Sequence, residues 1–373
     1  MERTGTRGIA TSMFNGNKLK LGIFSPNCSG GMAATTVPER WDASWENNLK
    51  LAQMADEAGI EFLLPIARWK GYGGETDFEG STLETLTWAC GLLAKTRDIT
   101  VFGTVHAPLV HPIFAAKQMA TISHISEGRF GLNIVCGWNQ DEFEMFGIEQ
   151  REHDTRYEYG QEWWDVVRRI WTEKAAFDYD GKFIKLKGVV GKPKPYKWRP
   201  VVMNAGSSGA GRAFGARNCD FLFTVLIDLE KGKQDVQAIK SAAAEMGREI
   251  DVFTTSYVVV RPTRKEAVEY HEYYTTKMGD YAAAERLMEL QGLHAQSFPP
   301  EAFQMFRQRF LGGHGVYPII GDADDVAREL RRISEAGFIG TTVTFVNYVE
   351  ELPYFRDEVL PRLERMGLRE AAA

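Results

Sequence analysis

Apolar and polar positions fall into a two-part rhythm along the chain. LKLGIFSP (19–26) is a short apolar run ending at a proline, which reads as a buried strand passing into a loop. SWENNLKLAQMADEAG (44–59) then carries apolar residues at helical spacing between a serine start and a glycine stop. The pair recurs. FLLPI (62–66) precedes STLETLTWACGLLAKT, ITVFGTV (99–105) precedes HPIFAAKQMATISHIS, and RFGLNIVCG (129–137) precedes RYEYGQEWWDVVRRIWT (156–172). The rhythm breaks at 177–195, where FDYDGKFIKLKGVVGKPKP holds a D-G turn between alternating segments and reads as a hairpin inserted outside the sheet. It resumes at VVMNAG (201–206), FLFTVL (221–226) and VFTTSYVVV (252–260), each followed by a helical pattern. Residues 280–320 read as an irregular insertion ending in the loop GGHGVYPIIGD. Beyond it, the helix DADDVARELRRISEAG leads to an eighth strand, TTVTFV (341–346), and a last helix, YFRDEVLPRLERMG.

Eight runs rich in Val, Ile, Phe and Thr, alternating with amphipathic helices, predict parallel strands buried on both faces. Eight such units close a (β/α)₈ barrel. The competing arrangement is an open doubly wound sheet, whose first turn often carries G-x-G-x-x-G. Here the first turn is PNCSGGMAA, without that motif. The barrel spends the 373 residues on one domain, 19–366, after a polar and flexible head, 1–18. The 280–320 stretch is an insertion and not a linker, because the eighth unit lies beyond it.

Composition narrows the partners. With 44% hydrophobic and 25% charged residues the chain can bury a sizeable core. A net charge of −6 offers no basic footprint for nucleic acid and leaves a small-molecule partner as the expectation. The N-terminal sequence lacks an apolar leader core, and no apolar run is long enough for a membrane span, so a cytoplasmic protein with no membrane association is expected. Cys28, Cys90, Cys136 and Cys219 lie far apart with no CxxC pair, which predicts buried thiols and neither disulfides nor a metal site.

In such a barrel the chemistry sits in the loops at the C-terminal ends of the strands. The candidates there are Arg68, Trp69, Tyr72, Thr104, His106, Asn133, Trp138, Glu142, Ser207, Ser208 and His314. NAGSSGAG (204–211) leaves backbone N–H groups uncovered where a strand meets a helix, a seat for a phosphate, with Ser207 and Ser208 adding hydroxyls. The plainer reading is a capping serine followed by small residues for close packing. Arg156 and Tyr157 on the adjoining unit either reach the same phosphate or lie on the surface. Asn133, an amide inside an apolar strand, meets a ligand or completes an internal network. Glu142 belongs to the site or to a solvated acidic loop with Asp141 and Glu144. His106 and His111 have no metal-ligand spacing, so capping or packing is their default. His314 lies in a Gly-rich loop that either folds over the site or is an exposed linker. No catalytic triad or spaced carboxylate set stands out, which points to a phosphate-bearing cofactor as the carrier of the reaction.

The segments KLGIFSPNCSGG, RWKGYGGETDF, TISHISEGRFGLNIVCGWNQDEFEMFG, EHDTRYEYGQEWWDVVRRIWTE and VVMNAGSSGAGRAFGARNCDFLF resemble the bacterial luciferase-like flavin monooxygenases. The likeness is to the branch containing the pyrimidine and dimethyl sulfone monooxygenases, and it runs from about residue 19 to 365. It implies a barrel that takes up reduced FMN (FMNH₂) from a separate NAD(P)H-dependent flavin reductase and activates O₂ with it, through a flavin N5–oxygen adduct. Matched motif by motif, it implies that Ala67 and Arg68 lie along the flavin ring and Asn133 contacts it. Glu142 would bond its polar edge, while Arg156, Tyr157, Ser207 and Ser208 hold the phosphate. Thr104 and Asn133 match the positions where O₂ meets the ring and are the catalytic candidates. Trp69, Tyr72, His106, Trp138 and His314 remain for the substrate pocket. The implied reaction is oxidation of a small organic molecule by C–N, C–S or carbon–halogen cleavage or amide oxidation, in a homodimer or homotetramer. Arg68 stands where the pyrimidine enzymes have lysine, Trp69 is bulky and His106 replaces a small residue, so the pocket is larger and more aromatic than a bare pyrimidine requires. An F420-dependent oxidoreductase and a non-catalytic flavin-binding barrel are the alternatives within the same fold.

Overall fold

The structure is a computed structural model that describes residues 11–293 and 300–371. Eight strands form a closed parallel barrel: β1 (Lys20–Phe24), β2 (Phe62–Leu64), β3 (Thr100–His106), β4 (Phe130–Val135), β7 (Val201–Asn204), β8 (Phe221–Phe223), β9 (Asp251–Val260) and β11 (Gly340–Thr344). Closure is direct, since β1 pairs with β11 and β8 pairs with β9, all parallel. All eight expected strands are present, and each is buried because helices cover the outer face while side chains fill the inner one. β5 (Phe177–Asp180) and β6 (Lys185–Val189) form the antiparallel hairpin outside the barrel that the D-G turn predicts.

Aromatic rings fill the barrel at its N-terminal end. Phe62 stands edge-on to Phe102 and Phe253, with centroids 5.7 and 5.1 Å away. Rings of this size fit because neighbouring strands carry glycine: a Cβ on Gly22 would fall 2.3 Å from the Phe62 ring. Met13 closes this floor from below and is fully buried. Of the segment 1–18 expected to be flexible, residues 1–10 lie outside the described residues, whereas 11–18 are packed against the barrel. Ser12 Oγ donates to the Glu61 carbonyl at 2.6 Å, and Asn15 and Asn17 donate to the Glu61 carboxylate at 3.0 and 2.5 Å. Arg369, from the other end of the described chain, bonds the same carboxylate at 2.7 Å.

The 280–320 insertion is not irregular where it is described. It holds helices Tyr281–Leu290 and Pro300–Gly313, followed by β10 (Tyr317–Gly321), which pairs in parallel with β9 as a ninth strand outside the closed ring. The glycines and the proline of GGHGVYPIIG suggest a loop, but β9 runs for 10 residues and leaves an edge free beyond the barrel that captures the segment. Among the described residues no helix is long and apolar enough to cross a membrane.

Candidate active site

At the C-terminal mouth, the β7–helix connection holds the serine and small residues expected for an anion seat. Asn204 shapes the turn: its Nδ2 donates to the Ile134 carbonyl at 2.7 Å and its Oδ1 accepts from Gly206 N at 2.9 Å. Ser208 caps the helix Gly209–Asn218, its Oγ accepting from Gly211 N at 3.2 Å. A Cβ on Gly209 would meet nothing within 4 Å, so space is open at the first turn of this helix, where the amides ahead of Gly211 have no intrahelical acceptor. The Tyr157 hydroxyl is brought to this turn, where a Cβ on Gly211 would lie 2.6 Å from it. Burial raises the Tyr157 pKa, an effect partly offset by the Ser208 hydroxyl. Arg156 Nη1 donates to the Gly137 carbonyl at 2.6 Å, while its buried Nε has no partner. Arg156 and Tyr157 are therefore not a surface pair. Both lie in the helix His153–Thr172, which begins three residues before the start that the sequence pattern suggests. Ser207 is exposed at the rim, and it is Ser208 that is built into the seat.

Toward the barrel axis, Thr104 on β3 and Asn133 on β4 are direct neighbours in the register. Asn133 Nδ2 donates to Thr104 Oγ1 at 3.2 Å, and Thr104 Oγ1 in turn donates to the Pro65 carbonyl at 2.6 Å. Asn133 Oδ1 is buried without a partner. Such an atom carries a desolvation cost that a bound donor would recover. The internal network is thus half made, with the carbonyl end of the amide open. Thr104 differs from expectation: its hydroxyl proton is already committed to Pro65.

Beside this pair lies a buried ionic cluster. Arg68 Nε donates to Glu79 at 3.1 Å and Nη1 to Glu142 at 2.9 Å, and Glu142 also accepts from Trp69 N at 2.9 Å. Glu142 is 1% exposed, which rules out the solvated acidic loop. Burial acts against the Arg68 charge, but Tyr72, Glu79 and Glu142 outweigh it and raise its proton affinity. Burial also acts against the Glu79 carboxylate, yet His314 and Arg68 on either side hold its pKa below the usual value. His314 Nδ1 stands 3.2 Å from Glu79 Oε1. His314 stands in the turn after the helix Pro300–Gly313, with φ of 58°, and its ring centroid lies 5.8 Å from that of Tyr72. Tyr72 and Trp138, expected in the substrate pocket, place their rings 4.8 and 5.4 Å from the guanidinium of Arg68. Glu79 is the residue that sequence reasoning missed. It stands in a polar loop with φ of 57°, and only its complete burial reveals its role.

A cavity of about 310 Å³ opens between the ends of β2 and β3. Ala67, Arg68, Trp69, Thr104 and His106 line its inner side. Its outer walls come from residues that the sequence reading did not single out, among them Leu83, Leu86, Leu109 and Phe114. His106 is buried, and burial is the main reason its pKa falls to about 4. Its Nδ1 is 3.7 Å from Glu142 Oε2, too far for a hydrogen bond, and that carboxylate oxygen is left unpaired. Of the expected site residues, the structure brings Ala67, Arg68, Trp69, Thr104, His106, Asn133 and Glu142 together and places Arg156, Tyr157 and Ser208 as a second group.

Residues 19–339 match the luciferase-like monooxygenase family. The chain is 30% identical over 366 residues to the FMNH₂-dependent dimethylsulfone monooxygenase of Pseudomonas fluorescens, covering 95% of this chain and 97% of that one. It is 26% identical over 356 residues to the pyrimidine monooxygenase RutA of Caulobacter vibrioides, covering 93% and 99%. Among solved structures, a riboflavin lyase crystallised with modified FMN and riboflavin superposes with a TM-score of 0.85 at 21% identity, over 95% of this chain and 93% of that one.

Proposed function

The chain belongs to the luciferase-like monooxygenase family, and from that premise we propose that it is a two-component enzyme that uses O₂ and FMNH₂ from a separate NAD(P)H-dependent flavin reductase to oxidise a small organic substrate. The observation that carries this reading is the unpaired Asn133 Oδ1, buried beside Thr104 between an anion seat and a cavity.

The residues present fit FMN. The first-turn amides around Gly209, the Ser208 and Tyr157 hydroxyls and the free Nε of Arg156 match a dianionic phosphate. Asn133 Oδ1 and Glu142 Oε2, both buried and unpaired, are acceptors for the N–H edge of a ring system. When bound, reduced FMN supplies the two electrons with which one oxygen atom enters the substrate and the other leaves as water. The chain's part is to bind and orient. Asn133 is fixed by Thr104 and holds a carboxamide, able to donate and accept but not to release a full proton, at the oxygen site. Ala67 leaves room beside the ring, and the Arg68 cluster stiffens the loop that carries it. Apolar walls at Leu83, Leu86 and Val105 exclude water from the cavity.

The test is rapid mixing of the chain and FMNH₂ with isotopically labelled O₂ across a substrate panel that includes dimethyl sulfone and uracil. One labelled atom in a product is the expected result. Turnover only with F420 and without oxygen would replace this reading by that of an F420-dependent oxidoreductase. FMN binding without any turnover would leave a flavin-binding barrel.

A further inference from the structure

The polar groups of the cavity between β2 and β3 divide sharply into committed and uncommitted. Arg68 is matched by two carboxylates. Glu84 spends both oxygens on the helix Thr85–Leu93, accepting from Leu86 N at 3.0 Å and Thr87 N at 2.8 Å. Thr85 donates to the Thr104 carbonyl at 2.6 Å, Thr82 to the Glu79 carbonyl at 2.9 Å, and Thr104 to Pro65. Besides the exposed Trp69 indole, what remains is His106 and Gln118, whose side chains line the cavity without a hydrogen bond among the described residues. Both are neutral groups that donate and accept, His106 because burial strips its charge. The rest of the wall is aliphatic and aromatic, and Phe114, 61% exposed, marks the outer opening.

A cavity with no unpaired cation gives an anion nothing to replace its hydration, whereas an uncharged molecule with one hydrogen-bonding group loses little on entry. At about 310 Å³ it is of a size for a molecule of one or two rings. Its inner end is Thr104, the partner of Asn133. We propose that this cavity is the substrate arm of the site, that it takes an uncharged, mainly apolar molecule bearing a single amide-like or carbonyl group, and that His106, with Gln118, is the specificity-determining residue that selects it over an isosteric anion. The inference rests on the monooxygenase reading for the identity of the occupant as substrate, but the chemistry of the cavity stands without it.

The experiment is calorimetric titration of the full chain with naphthamide, naphthoate and methylnaphthalene, with and without saturating FMN. FMN binding is followed separately by flavin fluorescence, so that a chain that fails to bind FMN is recognised as such. Naphthamide is expected to bind in both states and naphthoate at least about tenfold more weakly. His106→Leu should weaken naphthamide about tenfold and leave methylnaphthalene unchanged, with recovery in His106→Gln. Gln118→Leu should shift the same preference in the same direction, which keeps the test decisive if the histidine variant misfolds. Equal binding of naphthoate, no binding of naphthamide, displacement of naphthamide by FMN, or an unchanged preference in both leucine variants would overturn the assignment.

Discussion

Asn133 Nδ2 donates to Thr104 Oγ1 across adjacent strands at 3.2 Å, and the threonine relays the constraint to the Pro65 carbonyl at 2.6 Å. The asparagine is thereby held with its oxygen unpaired toward the mouth. Asn133→Ala should lower coupled oxidation about 100-fold, in line with loss of one oriented polar group at a reacting centre, while FMNH₂ is still consumed and hydrogen peroxide released. Product and peroxide yields measured together check this, and an unchanged ratio would remove Asn133 from the oxygen site. Thr104→Val should give a smaller loss of the same kind, because it loosens the asparagine without removing it.

The anion seat has one glycine that matters and one that does not. Gly211→Ala would put a Cβ 2.6 Å from the Tyr157 hydroxyl and 2.7 Å from the Gly206 Cα, whereas Gly209→Ala meets nothing within 4 Å. FMN affinity is expected to fall about tenfold or more in Gly211→Ala and to persist in Gly209→Ala. Arg156→Leu should weaken FMN but not riboflavin, which lacks the phosphate. Fluorescence titration with both flavins reads the difference.

The Arg68 cluster is a buried ion network in which loss of one member strands another. Arg68→Met leaves Glu79 and Glu142 without their cation and should cost about 3–5 kcal/mol of stability, measured by urea unfolding. Glu79→Gln, which keeps the shape and removes one charge, should cost less. If Arg68→Met were as stable as the parent chain, the cluster would not be what holds the 68–80 loop.

His106 and His271 both have pKa values lowered by burial to about 4 from an ordinary 6.5. The groups facing His106 are Glu142 and Arg68, and His271 is bonded by the Tyr257 hydroxyl at 3.0 Å. The unfolded chain takes up these protons as pH falls through 6.5, while the folded chain resists until about 4, so the unfolded state binds more protons in that window. Stability should therefore decline on acidification from about 6.5 to 4, by up to about 3 kcal/mol for each histidine. Urea midpoints across that range are expected to flatten in His106→Gln and His271→Gln. The Glu79 carboxylate, whose pKa is depressed in the fold, adds a loss of the same sign below its ordinary value of 4.5.

The eight barrel strands were legible because a strand buried on both faces must be a continuous apolar run, and no other chain segment of that length has reason to be one. Asn133 was legible for the same reason, as an amide in the middle of such a run. β10 was not, since Pro318 and Gly321 read as turn residues, and only the unpaired edge of β9 makes them a strand. The proposed anion seat was half readable: the small residues of 204–211 suggest it, but that the Tyr157 hydroxyl stands at this turn while Ser207 is exposed depends on the rotation of a helix that begins at His153. Glu79 could not be read at all. A carboxylate in the loop GGETDFEG looks solvated, and it is paired instead with Arg68 from the start of the same loop and with His314 from a distant part of the chain.

Glu61 gathers Asn15 and Asn17 from one end of the described chain and Arg369 from the other beneath the aromatic floor, on the face opposite the mouth. The molecule therefore has a polarity, with both strand-seam ends moored at its base and its chemistry at the top. A solid support joined at residue 11 or 371 would leave the open mouth facing away from it.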